Sequence, residues 1–364
     1  MRVDPSQLVP GCVLIRDVIG KTSRPIMPKN TTLTEQHITV LHKFLIDAVD
    51  VATKLEDGKL FKPKHIHKEQ KQNKSTDKEI NHTSKSFSDH YVHVVKYYKT
   101  IFKGWQNNAA IDMPAIRKLV IPLLKRIDEI GSDVFRLNHY VQKQDYFYHH
   151  SVALGLLSAY IARKMGYQKG EWLQIGLAGF LCDCGMSKVN PNIVMKEDDL
   201  SSVELDEIKK HPTYSYRLIE QKPTITNAVK LAVVQHHERM DGSGYPLGLS
   251  KDKIHSYARI IAVCDLYHAM TCDRLYRERQ SPFKAIEQLQ NDQFSQLDHQ
   301  VVQAFIKNLT NFSTGTKVRL SNHHIGEIVF IEEKDPTRPI VRMDETGEII
   351  TLKSEPSLYI DEIL

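Results

Sequence analysis

Long apolar runs are missing from this sequence. No stretch of the 364 residues approaches the roughly eighteen consecutive apolar residues that cross a bilayer, so no transmembrane helix is expected. The opening decapeptide MRVDPSQLVP has no apolar core and does not read as a secretory signal. Cysteine is scarce and odd in number: five residues, at 12, 182, 184, 264 and 272, without the spacing of a zinc ribbon. Cys182 and Cys184 are too close to form an unstrained disulfide readily, so reduced thiols in a cytoplasmic protein are expected. Basic residues interleaved with aromatics are also lacking, which argues against a nucleic-acid surface and against DNA as a partner.

What is present divides the chain into four parts. Residues 1–54 read as a small α+β unit: CVLIRDVI (12–19) has strand character, Ile38, Leu41 and Leu45 recur at helical spacing, and IDAVDV (46–51) suits a second strand. Residues 55–88 are rich in Lys, Gln, Asn, Ser and His with few apolar anchors, and much of the lysine excess behind the +5 net charge lies here. Such a stretch reads as a polar linker. Residues 89–312 carry apolar residues at three- and four-residue intervals almost throughout, the pattern of a mainly α, helical domain. Ser201 and Glu204 form a capping-box pattern, and Pro212 predicts a kink or a new helix start. In residues 313–364 the period drops to two. TKVRLS, EIVFIE, PIVRMD and EIITLK alternate apolar and polar residues between turn signals, predicting a small all-β domain, an antiparallel sheet or barrel.

The helical part holds polar residues where apolar ones belong. FLCDCG (180–185) ends an apolar run on Asp183. In NAVKLAVVQHHE (227–238), His236 and His237 continue the stripe of Val229, Ala232 and Val233. Asp265 shares a face with Ala258, Ile261 and Ala269. Burying an unpaired carboxylate costs several kcal/mol, on the order of the penalty for any uncompensated ion, so each needs a partner. One buried His or Asp alone would be a satisfied structural residue. Several on separate core faces, with His149, His150 and His211, point to a shared divalent metal centre, and their chemistry suits Fe, Mn or Zn. The adjoining RMDGSGYPLGL (239–249) has the glycines of a loop that approaches a ligand closely.

Taken together, His150-Ser151, Asp183, His211-Pro212, HHERMDGSGYP (236–246) and ARIIAVCDLYHAMTCDRLYR (258–277) closely resemble the HD-GYP domain of the HD metal-dependent phosphohydrolases. The resemblance spans roughly residues 140–310. It implies a helical bundle holding two or three metal ions, usually iron or manganese, that hydrolyses cyclic di-GMP to pGpG and sometimes on to GMP. His150 would be the first ligand. Asp183 would bridge two metals and be the catalytic aspartate. His211, His236 and His237 would complete one metal site and Asp265 the other. Gly244, Tyr245 and Pro246 are the signature loop, and Arg274 and Arg277 match positions that contact the ligand phosphates. Cyclic di-GMP is the implied small-molecule partner, and a signalling protein or a second copy of the chain would be compatible further partners.

The sequence also departs from the family pattern. Cys182 stands where the HD pair has its histidine, Met186 replaces a lysine, and Tyr146 replaces a glutamate that supports a third metal in some members. Two readings of Cys182 follow. A thiolate would still ligate metal; a buried thiol would be a small apolar side chain and weaken one site, leaving a domain that binds the nucleotide or a protein without cutting it.

Overall fold

The structure, a computed structural model, describes residues 1–19, 25–43, 46, 48–63, 86–140, 145–194, 196, 198–273, 279–292, 295–309, 313–332 and 335–364. Arg274, Arg277 and most of the linker predicted over 55–88 lie outside these residues. No described helix is long and apolar enough to cross a membrane.

The N-terminal unit pairs strands β1 (Arg2–Val3), β2 (Val18–Ile19), β3 (Pro25–Met27) and β4 (Val49–Asp50) as β1 with β4 and β2 with β3, beside helix α1 (Glu35–Lys43). The strand predicted over 12–19 is mostly irregular, with single bridges from Val13 to Thr32 and from Leu14 to Val51. The core of this unit runs on through Leu55 and Phe61, past the boundary placed at residue 54. Leu55, Leu60 and Phe61 are the sole apolar residues in the charged stretch 55–64, and that sparseness hid the continuation.

The helical domain opens with α2 (Phe87–Gln106), α3 (Met113–Leu124), α4 (Ile127–Ile130) and a 3-10 stretch (Gly131–Tyr140). Its centre is the pair α5 (Tyr146–Lys164) and α6 (Lys169–Leu181). Every residue of α5 from His149 to Ala162 is buried, so this span has no solvent face. Gly155 of α5 faces Phe180 and Ala159 faces Gly176, so the two helices run antiparallel. The start of α5 and the end of α6 therefore meet at one end of the bundle. A 3-10 turn (Cys184–Lys188) and α7 (Pro191–Val194) follow.

Next come α8 (Ser202–Ile208), α9 (His211–Ile219), α10 (Asn227–Gln235), α11 (Ser256–Thr271), α12 (Pro282–Asp292) and α13 (His299–Leu309). The capping box forms as read: Ser201 Oγ accepts from Glu204 N–H and the Glu204 carboxylate accepts from Ser201 N–H. Pro212 sits in the first turn of α9, where its missing N–H costs no helical bond.

The C-terminal part is a five-stranded antiparallel sheet of β5 (Lys317–Leu320), β6 (Ile325–Phe330), β7 (Ile340–Met343), β8 (Ile349–Thr351) and β9 (Ile360–Ile363), in the order β8-β7-β6-β5-β9. Four strands match the predicted alternation. β9 closes the edge beside β5, and the alternation reading did not include its IDEI segment. Phe283 of α12 is buried in the apolar core of this sheet, Ser281 Oγ donates to the Ile360 carbonyl at 2.6 Å, and Arg338 Nη2 meets Glu287 at 2.9 Å. The sheet thus docks on the helical domain.

Candidate metal centre

Six of the predicted ligands converge at the end of the bundle where α5 begins and α6 ends. His150 is in the first turns of α5, Asp183 follows α6, His211 opens α9, His236 and His237 follow α10, and Asp265 lies within α11. His211 Nε2 is 3.1 Å and His236 Nε2 3.4 Å from Asp183 Oδ1, while His150 Nε2 is 3.4 Å from Asp183 Oδ2. His150 Nε2 also reaches Asp265 Oδ1 at 3.1 Å, and His237 Nδ1 lies 3.6 Å from Asp265 Oδ2. Donor atoms of Asp183, His211, His236 and His237 all fall within 4.8 Å of one another.

The tautomers show what this set is for. His211 Nδ1 lies 2.7 Å from the Ile208 carbonyl and His236 Nδ1 2.8 Å from the Val233 carbonyl. A carbonyl only accepts, so each Nδ1 carries a proton, and each ring turns its Nε2 toward the centre. Those two Nε2 atoms are 3.2 Å apart and both face the same Asp183 oxygen. Three lone-pair atoms at that spacing repel unless a cation or proton lies between them, so the donor set fits a divalent metal ion.

Charge in the metal-free centre is redistributed accordingly. Burial works against charging His150, but bonds to Asp183 and Asp265 outweigh it and raise its pKa to about 9. Burial would raise the Asp183 pKa, yet His150, His211 and His236 hold it well below the usual carboxylate range. Burial, then the neighbouring His236, pushes His237 well below the ordinary imidazole value. A raised imidazole pKa stabilises the fold fully below the unfolded value near 6.5 and loses that contribution as pH rises through about 9. His237 is neutral throughout that window and does not mask the effect. The melting midpoint of the metal-free protein is therefore expected to fall between about pH 6.5 and 9, and a His150→Gln variant is expected to lack this fall. An unchanged slope in the variant would assign the titration elsewhere.

The glycine-rich loop packs directly on the centre. Tyr245 stacks on His237 with ring centroids 4.7 Å apart, and Tyr245 N–H donates to the His237 carbonyl at 3.2 Å. A Cβ on Gly244 would lie 2.4 Å from Arg239 N and 2.5 Å from Glu238 Cα, so this approach admits only glycine. Pro246 follows in the same loop. The buried Glu238 anchors the far side: its carboxylate accepts from Leu247 N–H at 2.7 Å and Leu249 N–H at 2.8 Å.

Cys182 is fully buried and its thiol donates to the Gly179 carbonyl at 3.2 Å, back along its own helix. Burial, then Asp183 and Asp265, raises its pKa well above the ordinary thiol value. Its sulfur is not in the four-residue donor group. Met186 packs against the helical core, and Tyr146 Oη is 3.2 Å from His150 Nδ1. His149 turns away from the centre, toward Tyr91.

Several site residues escaped the sequence reading. His268 Nδ1 sits 3.0 Å from His150 Nδ1; it follows Asp265 by one helical turn, and that spacing was the available signal. Gln235 Oε1 accepts from His255 N–H at 2.8 Å and ties α10 to α11. Ser215 Oγ donates to the Cys182 carbonyl and accepts from Gly185 N–H at 2.7 Å, locking α9 to the Asp183 turn. Glu238, Gln235 and Ser215 carry no sequence signal, because their partners are backbone groups brought in by the fold.

Residues 128–301, which hold all six ligands, match the HD domain family. This segment is similar to HD domains. A cyclic di-GMP phosphodiesterase of Pseudomonas aeruginosa is 33% identical over 212 residues, 56% of this chain and 50% of that protein. One from Borreliella burgdorferi is 26% identical over 210 residues, 57% of this chain and 55% of that protein. The chain thus spans about half the length of these curated relatives. An HDG"Y"P protein from Bdellovibrio bacteriovorus has a similar fold, with a TM-score of 0.51 at 14% identity, covering 85% of this chain and 99% of that one. The matched segment contains HHERMDGSGYP, and Cys182 precedes Asp183 in it.

Proposed function

We propose that the chain is a metal-dependent phosphodiesterase that hydrolyses cyclic di-GMP to pGpG in the bacterial cytoplasm. The observation that carries this reading is the convergence of His211 Nε2, His236 Nε2 and Asp183 Oδ1 with their other polar atoms already committed. Asp183, His211, His236 and His237 would hold one divalent ion. His150 and Asp265 would hold a second with the other Asp183 oxygen, iron or manganese suiting both. When bound, such ions supply Lewis-acid stabilisation of phosphate oxygens and acidify water. The protein's own part is to fix Asp183 between three imidazole-bearing elements and to wall the centre with Tyr245 and the Gly244–Pro246 loop. By resemblance, Arg274 and Arg277 would hold the phosphates. The named activity of the relatives supports the substrate; others in Vibrio cholerae are named 3'3'-cGAMP-specific phosphodiesterases, which places that dinucleotide in the panel to be tested.

The direct test is anaerobic purification, loading with Fe(II) or Mn(II), and chromatographic assay of cyclic di-GMP turnover with metal measured on the same sample. Formation of pGpG supports the proposal. A fully metallated protein inert toward both dinucleotides would sink it. The inward Cys182 thiol and the apolar packing of Met186 favour a second reading, a domain that binds cyclic di-GMP and passes the signal to its flanking units without hydrolysis. Calorimetric binding without turnover would select it. Because the thiol faces Gly179, Cys182→Ala is expected to leave metal per chain unchanged while costing about 1 kcal/mol of packing. Loss of one metal in this variant would instead identify a ligating thiolate.

A further inference from the structure

Helix α11 has two functional sides. Asp265 points into the metal centre, and Tyr267, two residues on, points nearly the opposite way. There it lines a cavity of about 450 Å³ between the helical domain and the C-terminal sheet, within the usual range of ligand pockets. The floor is aromatic: Phe135, Tyr267 and Phe283, all buried. The mouth is basic. Arg136, His139 and Arg279 line it and are exposed.

The two guanidinium groups share the lining with Asp133, Asp361 and Glu362. Among the described residues none of Arg136, His139 and Arg279 makes an ion pair; the Arg136 guanidinium reaches only the Ile363 carbonyl, at 3.4 Å. The acids of β9 on the same wall, Asp361 and Glu362, are both taken up by Arg319. Asp133 at the rim is the remaining acid of the lining. Burial, then the nearby Arg136 and Arg279, lowers the His139 pKa against an opposing pull from Glu362, so the cations of this edge are the two arginines. Two unpaired guanidinium groups over an aromatic floor are the complement of a flat body with an acidic head.

We propose that this cavity binds a small organic anion: an arene or heteroarene bearing one carboxylate, sulfonate or phosphate, its ring on Phe135, Tyr267 and Phe283 and its acid on Arg136 and Arg279. The site lies apart from the metal centre and does not depend on the activity proposed for that centre. The test uses the full chain and 1-anilinonaphthalene-8-sulfonate, followed by fluorescence, beside N-phenyl-1-naphthylamine, the same ring system without the acid. Wild-type protein is expected to show one saturable site for the sulfonate and at least tenfold weaker binding of the neutral analogue. Arg136→Glu with Arg279→Glu should weaken the sulfonate at least tenfold and leave the neutral analogue unchanged. Asp183→Ala should bind the sulfonate as wild type does. Absence of saturable binding, equal affinity for both dyes, or loss of binding in Asp183→Ala would each overturn the proposal. The dye pair on wild-type protein decides the matter even if the double variant does not fold.

Discussion

Asp183→Ala is expected to empty the metal centre. Its two oxygens face three different imidazoles, His211 and His236 on one side and His150 on the other. No other described carboxylate stands between the two sets, since Asp265 reaches only His150 and His237. Removing Asp183 leaves neutral nitrogen donors with no anionic ligand on the His211 side. Metal affinity should fall by more than about 100-fold, beyond the loss caused by removing an outer-shell partner. Turnover should fall by at least about 10²–10³, the cost of losing one charge-stabilising group. Asp183→Asn keeps the shape but not the charge and should show most of the same loss. Plasma mass spectrometry on the purified variants reads the metal directly. The melting midpoint gives an independent readout: Mn(II) should raise it in wild type and leave it unmoved in both variants. Wild-type metal content in Asp183→Ala would refute the shared-ligand assignment.

Gly185→Ala is expected to be the most damaging alanine substitution among the described glycines. Its Cβ would lie 2.3 Å from both the His211 carbonyl oxygen and Ser215 N. Both are backbone atoms of α9, so no side-chain rotation relieves the clash. The helix must retreat, taking His211 with it and breaking the bond from Gly185 N–H to Ser215 Oγ. Overpacking of this kind costs about 1–3 kcal/mol, and the lost buried bond adds to it. Urea denaturation should show the loss of stability, and metal content should drop with it. Gly104→Ala is the control. It lies within α2, its Cβ would meet Ala109 Cβ just beyond that helix at an ordinary 3.6 Å, and alanine there should be neutral or stabilising by up to about 1 kcal/mol. Equal tolerance of the two substitutions would mean that α9 does not lie where the structure places it.

Much of this architecture was legible in advance. Helical periodicity marked the region that holds α5, α6, α10 and α11, because each buries a broad apolar face. The same periodicity exposed Asp265, His236 and His237 as polar residues on core-facing stripes, and their burial is what the structure finds for Asp265 and His236. The N-terminal unit was harder to read. Its strands are two or three residues long, too short for alternation to register, and its core borrows Phe61 from a stretch that looks like linker.

By itself the sequence determined which faces are buried and which chemical groups they carry, since spacing along a helix sets direction about its own axis. Only the tertiary structure decided what each face meets. It brought Asp183 to His150 by running α5 and α6 antiparallel, and it seated Phe283 in the C-terminal sheet, where alternation alone left packing on the core and binding to a partner open. It also turned the Cys182 thiol toward Gly179, although Cys182 adjoins Asp183 in the chain. The physical reason is the end of α6. Cys182 keeps helical geometry with φ −60° and ψ −31°, so its sulfur follows the helix, while Asp183 leaves it at φ −98° and ψ 5° and its carboxylate turns into the centre.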